Sequence, residues 1–161
     1  ISNAFEVTKY KKLSTTSSMV GKISFFGKTV TGLNDDVRIS KRLNIPSSRL
    51  RGFQSGKVGP VENNDYIGGN HLSSLNLSAT LPNIVQGLDN LDVGVFIDAA
   101  NVWGVDYDST LDDRSTIRSS TGVALNLLTP IGPLSFSFAN ALSQASSDKT
   151  ETFRFNLGTQ F

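Results

Sequence analysis

The chain has 161 residues, with 15 basic and 14 acidic side chains, one histidine and no cysteine. This near-neutral balance offers no electrostatic footprint for nucleic acid, and the lack of cysteine excludes disulfides, thiolate metal sites and cysteine nucleophiles. No window approaches the roughly 18 consecutive apolar residues of a membrane-spanning helix, so a chain that crosses a membrane would do so with strands.

Apolar and polar side chains alternate with a period of two along most of the chain, whereas no stretch repeats apolar residues at helical spacing behind a cap. The alternation begins at Phe5 and Val7, is weaker at Ile23 and Phe25, and is clearest from Leu134 to Ala139. The pattern predicts an all-β protein with about seven strands. We place them near residues 3–13, 19–31, 70–82, 90–103, 116–129, 133–143 and 151–161.

The lengths of strands and connections favour a membrane barrel. Several predicted strands approach the roughly 9–11 residues that cross a bilayer at a tilt. Connections near 82–90 and 130–133 are tight, whereas 32–69 and the acidic segment 105–115 are long. A soluble β-sandwich also alternates apolar and polar residues. Here the second face carries Ser, Gly, Asn, Ala and Thr more often than Lys or Glu, which suits a crowded lumen.

Four motifs then carry a resemblance to a known family. A long loop contains Ser47 to Gln54, with Arg51-Gly52-Phe53 at its centre, and a later strand reads Phe-Ile-Asp-Ala-Ala-Asn-Val-Trp from Phe96. A hairpin with a Thr-Pro-Ile-Gly-Pro-Leu turn and the final segment 153–161 follow. In content and order these motifs resemble the sixth loop, two strand motifs and the closing strand of BamA-type assembly proteins, the outer-membrane insertase or bacterial surface antigen superfamily.

The resemblance implies an antiparallel transmembrane β-barrel in the outer membrane of a Gram-negative bacterium. Residues 1–161 would be a partial barrel domain, about seven C-terminal strands of a sixteen-stranded barrel, without the periplasmic POTRA domains and the first strands. Residues 1–10 do not read as a signal peptide, so we expect the sequence to begin mid-protein. Seven strands cannot close a barrel in lipid, which fits a fragment.

By the same resemblance, the protein would fold and insert client β-barrels by strand addition at a seam formed with the last strand. Its partners would be unfolded client barrels, outer-membrane lipid, and accessory lipoproteins bound through the absent periplasmic domains. A two-partner secretion or TamA-like translocation pore, a passive porin-like channel and a soluble β-sandwich binding module remain open as alternatives.

The resemblance also assigns site residues. Arg51 would fold back into the lumen and pair with Asp98, which strand parity places on the face opposite Val95 and Ile97. Gly52 would permit a sharp turn, and Phe53 would wedge the loop tip against the wall. The closing strand at the seam would carry Phe153, Phe155, Leu157 and Phe161.

The sequence departs from the family where a second inward acid is expected, at Ser78. The glycines before the tripeptide are replaced by Ile45-Pro46, and the glycine after Asp-Ala is Ala100. No nucleophile motif, acid/base pair, phosphate loop or metal spacing is present, so we expect no enzyme, no cofactor and no metal. His71 is interpreted as structural or exposed, and Asp112-Asp113 as a solvated loop. Trp103 and Tyr107 fit interfacial positions.

Overall fold

The computed structural model describes residues 1–15, 18–82, 87–88, 90–111, 115–130 and 132–158. Seven strands form one antiparallel sheet in the order β1-β2-β5-β6-β7-β8-β9. They are β1 (Ser2–Lys12), β2 (Val20–Val30), β5 (His71–Pro82), β6 (Leu91–Trp103), β7 (Arg118–Thr129), β8 (Gly132–Ser143) and β9 (Phe153–Leu157). Two short 3₁₀ turns cover Ile39–Lys41 and Ser109–Leu111. In the described part of the chain, no helix has the length and apolar character needed to cross a membrane.

The seven strands agree with the sequence prediction to within a few residues, which confirms the all-β, antiparallel fold class. The prediction missed a small hairpin of β3 (Val61–Glu62) and β4 (Asp65–Tyr66) inside the long loop. Its two turn residues, Asn63 and Asn64, have φ of 50° and 69°, as a tight hairpin turn requires. Two-residue strands are too short to show any periodicity. The predicted positions Asp112, Asp113 and Phe161 lie outside the described residues.

The two faces of the sheet differ in polarity. The outer face is apolar and exposed, with rows of cross-strand neighbours such as Ile23, Leu77 and Ile97. The inner face carries buried polar side chains, among them Ser24, Ser74, Asp98, Ser120 and Ser137. A sheet that exposes its apolar face is suited to lipid, because lipid covers that face.

The connections also differ between the two ends of the sheet. Residues 31–70, 104–117 and 144–152 join strands at one end, which we call the loop end. The shorter connections 13–19, 83–90 and 130–131 lie at the other, which we call the turn end. This is the predicted asymmetry of outer-membrane barrels, whose long loops are extracellular and whose short turns are periplasmic.

The core lies between the inner face and the connection 31–70, which we call the plug loop. Its buried members come from the loop and from β5 and β6: Leu43, Ile45, Leu50, Phe53, Val58, Leu72, Ala100 and Val102. The base of the loop is closed by two backbone hydrogen bonds between Leu43 and Gly69, of 2.7 and 3.0 Å. The loop is therefore folded back against the sheet, where its apolar side chains replace the water that would otherwise cover the inner wall.

Candidate functional site

The tip of the plug loop is fixed to β6 by an ion pair between Arg51 and Asp98. Side chains alternate between the two faces along β6, so Asp98 points inward while the preceding Ile97 is exposed on the outer face. The Asp98 side chain is fully buried. Arg51 Nε donates to Oδ2 and Nη2 to Oδ1, each over 2.7 Å, and the Arg51 backbone N–H adds a 3.1 Å bond to Oδ2. This forked geometry is the strongest form of arginine–carboxylate contact. It fixes both the side chain and the backbone of the loop tip.

Asn76 is a further partner in this ion pair that sequence reasoning did not find. Asn76 stands directly across from Asp98 on β5, and its Nδ2 donates to Asp98 Oδ1 and to the Arg49 carbonyl, both over 2.8 Å. Arg49 in turn lies over the Phe26 ring, 3.8 Å from its centre. Ser78, the position expected to hold a second acid, faces Phe96 in the register instead. The register of β5 against β6 was the missing signal, since it brings Asn76 beside Asp98.

The Arg51 guanidinium also stacks on Phe96, with Cζ 3.5 Å from the ring centre. Phe96 is buried, and its cross-strand neighbour on β7 is Gly122. A Cβ at Gly122 would come within 2.8 Å of the Phe96 ring and 2.0 Å of a backbone oxygen. Gly122 therefore leaves space for the Phe96 ring, whose face contacts the Arg51 guanidinium. Because the Arg51 side chain is 22% exposed, a cation–π contact of this kind contributes about 1 kcal/mol.

Gly52 turns the chain immediately after Arg51. Its φ of 89° lies in the left-handed region, and a Cβ there would meet the Cβ atoms of Ala139 at 3.1 Å and Ser120 at 3.3 Å. Both contacts come from the inner face of β7 and β8. The position therefore requires glycine for two independent reasons, the backbone conformation and the close approach to the wall.

These two reasons can be separated by a pair of variants. We expect Gly52→Ala to lower the free energy of unfolding of the full-length protein by about 2–4 kcal/mol, through left-handed strain and overpacking together. Gly56→Ala is the matched control, because Gly56 has a φ of 68° and open space where a Cβ would stand. It should cost about 1 kcal/mol, from strain alone. Urea unfolding in detergent micelles measures both. Equal effects would show that the approach to Ala139 and Ser120 carries no energy.

Phe53 is buried to 1% exposure and stands in a β-bridge with Thr150. The bridge belongs to a backbone ladder between the plug loop and the connection 144–152, with hydrogen bonds from Gln54 N to Lys149 O and from Glu151 N to Gly52 O. Arg154, on the inner face of β9, donates to the Phe53 carbonyl over 2.8 Å. The aromatic residue of the tripeptide is thus held by the last connection and the last described strand.

A second ion pair, absent from the sequence predictions, lies beneath this ladder. Arg118 and Asp148 are both fully buried, with Nε to Oδ2 at 2.9 Å and Nη2 to Oδ1 at 3.1 Å. The Asp148 carboxylate also accepts the backbone N–H groups of Gly59 and Ala145. Arg118 donates in addition to Asn101 Oδ1 over 2.8 Å. The pair joins β7, the plug loop and the connection 144–152. Sequence reasoning missed it because neither residue lies in a family motif.

Polar contacts at the loop end lie outside the membrane-spanning strands. Burial raises the pKa of Asp106, but hydrogen bonds from Val37 and Asn70 and the charge of Arg42 outweigh burial and hold that pKa below its usual value. Arg42 Nη2 lies 2.7 Å from Asp106 Oδ1. Burial and the nearby Asp148 charge raise the pKa of Tyr66, whose hydroxyl donates to the Ser147 carbonyl. Asp106 therefore stays ionised and paired at neutral pH.

The proposed seam residues stand on the outer face of β9. Phe153, Phe155 and Leu157 are exposed and lie across from Phe138, Phe136 and Leu134 of β8. Phe161 lies outside the described residues. In the sheet as described, β9 pairs with β8 on one side and forms an edge on the other. Within the described residues, no group of three or more His, Cys, Asp or Glu side chains could hold a metal ion.

Comparison with known proteins identifies the family. The family described as the Omp85 superfamily domain matches residues 2–161. The chain belongs to the Omp85 superfamily. Its membership agrees with the predicted outer-membrane insertase superfamily and places the chain in the outer membrane of a Gram-negative bacterium.

Similar members of the superfamily are outer membrane protein assembly factors named BamA. The chain is 31% identical over 141 residues to BamA of Neisseria meningitidis serogroup B, covering 70% of this chain and 17% of that protein. It is 29% identical over 117 residues to BamA of Neorickettsia risticii, covering 71% and 16%. The chain thus spans less than a fifth of either relative.

A solved structure of a BamA protein is similar to this chain in fold. The crystal structure of BamA from Haemophilus ducreyi lacking POTRA domains 1–3 superimposes with a TM-score of 0.80 at 26% identity, over 96% of this chain and 34% of that one. The predicted barrel-type fold is confirmed by this match. Seven of the described strands form one open sheet of this fold.

Proposed function

We propose that this Omp85 chain is part of an outer-membrane protein assembly factor that folds and inserts client β-barrels. Residues 1–161 would form the C-terminal part of its barrel domain. The likeness to BamA covers 70% and 71% of this chain in the two relatives and 96% of it in the solved structure. The observation that carries the proposal is the docked plug loop, because Arg51, Gly52 and Phe53 each have a specific partner on the inner wall.

The proposed mechanism uses β9 as the closing strand of a seam. Within the described residues, which end at 158, β9 covers five residues, whereas the other strands of the sheet cover eleven or more. A short edge strand seals weakly, and its free backbone groups can pair with the terminal strand of a client by β-augmentation. Each added strand removes unsatisfied backbone groups from lipid, so the client's own burial drives insertion without nucleotide or covalent chemistry. Partners would be unfolded barrels, lipid and accessory lipoproteins on periplasmic domains.

The docked plug loop bears on the rival functions. A passive porin-like channel needs an open lumen, whereas here the plug loop covers the inner face and buries Leu50 and Phe53 against it. A soluble β-sandwich would need to cover the apolar outer face with a second sheet, whereas in the described part of the chain that face is exposed. A two-partner secretion or TamA-like translocation pore would share the loop. These two kinds of pore are distinguished from an assembly factor by the proteins on which the full-length protein acts: secreted passengers or membrane barrels.

A charge-swap cycle in the full-length protein tests the proposal. We expect Arg51→Glu and Asp98→Arg each to reduce insertion of a client barrel into proteoliposomes by about tenfold or more, because each places like charges at a buried contact. The double variant should recover part of the activity. Recovery is expected to be incomplete, because Asn76 Nδ2 and the Arg51 N–H need an acceptor that an arginine at 98 cannot offer.

Two further measurements, channel conductance and transport of a secreted passenger, accompany the charge-swap cycle. Single-channel conductance of the same variants reports whether the lumen opens when the loop is released. If both single variants insert clients normally and conduct no more than the wild type, the docked loop has no role in assembly and the proposal fails. If the wild type transports a secreted passenger and inserts no barrel, the translocation pore replaces the assembly factor.

A further inference from the structure

Charged side chains in the strands of the sheet point inward, except for two lysines of β1. Glu6, Asp92, Asp98, Arg118 and Arg154 all occupy inward positions, as do the lysines at 12, 22 and 28. Within the described strands, the two charges on the outer face are Lys9 and Lys11 of β1, which share their face with Phe5 and Val7. Lipid-facing lysine is unfavourable in hydrocarbon unless it reaches an interface. These two neighbouring cations therefore need a specific explanation.

The same two lysines border a groove in the outer face. The groove has a volume of about 500 Å³ and is almost entirely apolar. Its floor is formed by two small residues: Gly21, the cross-strand neighbour of Lys11, and Ala79, the cross-strand neighbour of Gly21 on β5. Its walls are larger outward side chains: Val95, which continues the row of Gly21 and Ala79, and Leu13, Ile23, Leu77 and Ile97 beside that row. An apolar groove with a cationic rim has the polarity and charge of a site for an amphiphile with an anionic head.

The position of the groove along the strands determines which leaflet of the outer membrane its lipid would come from. Lys11 is one residue from the end of β1, and Leu13 begins the connection 13–19 at the turn end of the sheet. Short turns of outer-membrane barrels face the periplasm, so the lysines stand at the periplasmic boundary of the membrane. The lipids of that leaflet are glycerophospholipids. Lysine stems can extend along the apolar surface and place their ammonium groups at the level of the phosphates.

We propose that Lys9, Lys11 and the groove over Gly21 form a binding site for an anionic glycerophospholipid of the periplasmic leaflet. One acyl chain lies in the groove over Gly21 and Ala79, and the phosphate and anionic head group contact the two ammonium groups. No acidic side chain shares the outer face of β1, β2, β5 or β6 among the described residues, so the lysine charges are not neutralised by the protein there. The proposal is independent of the assembly function.

Native mass spectrometry of the full-length protein, purified in detergent and depleted of lipid, tests this site. The probes are dioleoylphosphatidylglycerol and dioleoylphosphatidylcholine, which differ in head-group charge. We expect tighter binding of phosphatidylglycerol to the wild type. The double variant Lys9→Gln/Lys11→Gln should weaken that binding by about fivefold for each lysine and leave phosphatidylcholine unchanged.

A matched control removes the same charge from the other face. Lys12→Gln/Lys28→Gln changes two inward lysines of β1 and β2 that do not line the groove, and should leave phosphatidylglycerol binding at the wild-type level. Gly21→Leu fills the groove and keeps both lysines, so it should reduce binding. The variant can fold because the atoms nearest to a Cβ at position 21 are those of the flexible Leu13 side chain, at 3.0 Å. The shift of the folded band in unheated gels shows that each variant is folded. Equal affinity for the two lipids, or an equal loss in both lysine pairs, overturns the proposal.

Discussion

Asp98→Asn is expected to release the tip of the plug loop and to lower the free energy of unfolding of the full-length protein by about 3–5 kcal/mol. The carboxylate receives four hydrogen bonds, two on each oxygen: from Arg51 Nε and N–H on Oδ2, and from Arg51 Nη2 and Asn76 Nδ2 on Oδ1. An amide offers one oxygen. Whichever way it is oriented, two donors face its NH₂ group, and the guanidinium loses its counter-charge.

The comparison for this variant is Asp92→Asn. Asp92 also points inward from β6, and no hydrogen bond or ion pair with another described residue accompanies it, so its neutralisation should change stability by less than about 0.5 kcal/mol. Urea unfolding of both refolded proteins gives the difference. Hydrogen exchange at the Arg51 amide, whose acceptor is the substituted group, reports loop release directly. Protection of that amide in Asp98→Asn at the wild-type level would show that the ion pair does not hold the tip.

Asp148→Asn is expected to have an effect of similar size at a different place, about 3–5 kcal/mol. Asp148 also accepts four hydrogen bonds, from Arg118 Nη2 and Gly59 N on Oδ1 and from Arg118 Nε and Ala145 N on Oδ2. Neither side chain of this pair is exposed. Loss of the negative charge leaves a buried arginine without compensation, and two backbone amides compete for the one remaining oxygen.

Hydrogen exchange distinguishes this release from that of the tip. In Asp148→Asn, the amides of Gln54, Lys149 and Glu151 should lose protection together, because they form the ladder above the ion pair. The Arg51 amide should keep most of its protection, since Asp98 is intact. Asp65→Asn, at an exposed position of the small hairpin, serves as the control and should leave all four amides unchanged. Loss of protection at Arg51 alone would contradict the assignment.

Sequence patterns predicted the strands well because each long strand alternates between a lipid-facing and an inward residue. The same parity placed Asp98 on the inner face, where the structure has it paired with Arg51. The tripeptide itself came from a family resemblance and not from any physical signal in the sequence. In isolation, Arg-Gly-Phe is compatible with an ordinary exposed turn.

The remaining parts of the site depend on distances that periodicity does not encode. Asn76 contacts Asp98 because of the β5–β6 register, and register depends on the whole pairing of two strands. Arg118 and Asp148 are 30 residues apart and meet through an irregular connection. The Asn63-Asn64 turn is visible only once the backbone is known. Local patterns specify elements, whereas contacts between loops arise from tertiary packing.

The partners of the plug loop have a consequence for the order in which the barrel forms. Arg51 binds a residue 47 positions later in the chain, and the Phe53 carbonyl binds one 101 positions later. The plug loop therefore has all of these contacts only after β9 has formed. Closing such long loops is slow, because chain entropy is lost before the contacts compensate for it. The docked tripeptide therefore requires β9 to be in place, and a molecule truncated before Arg154 would lack this contact.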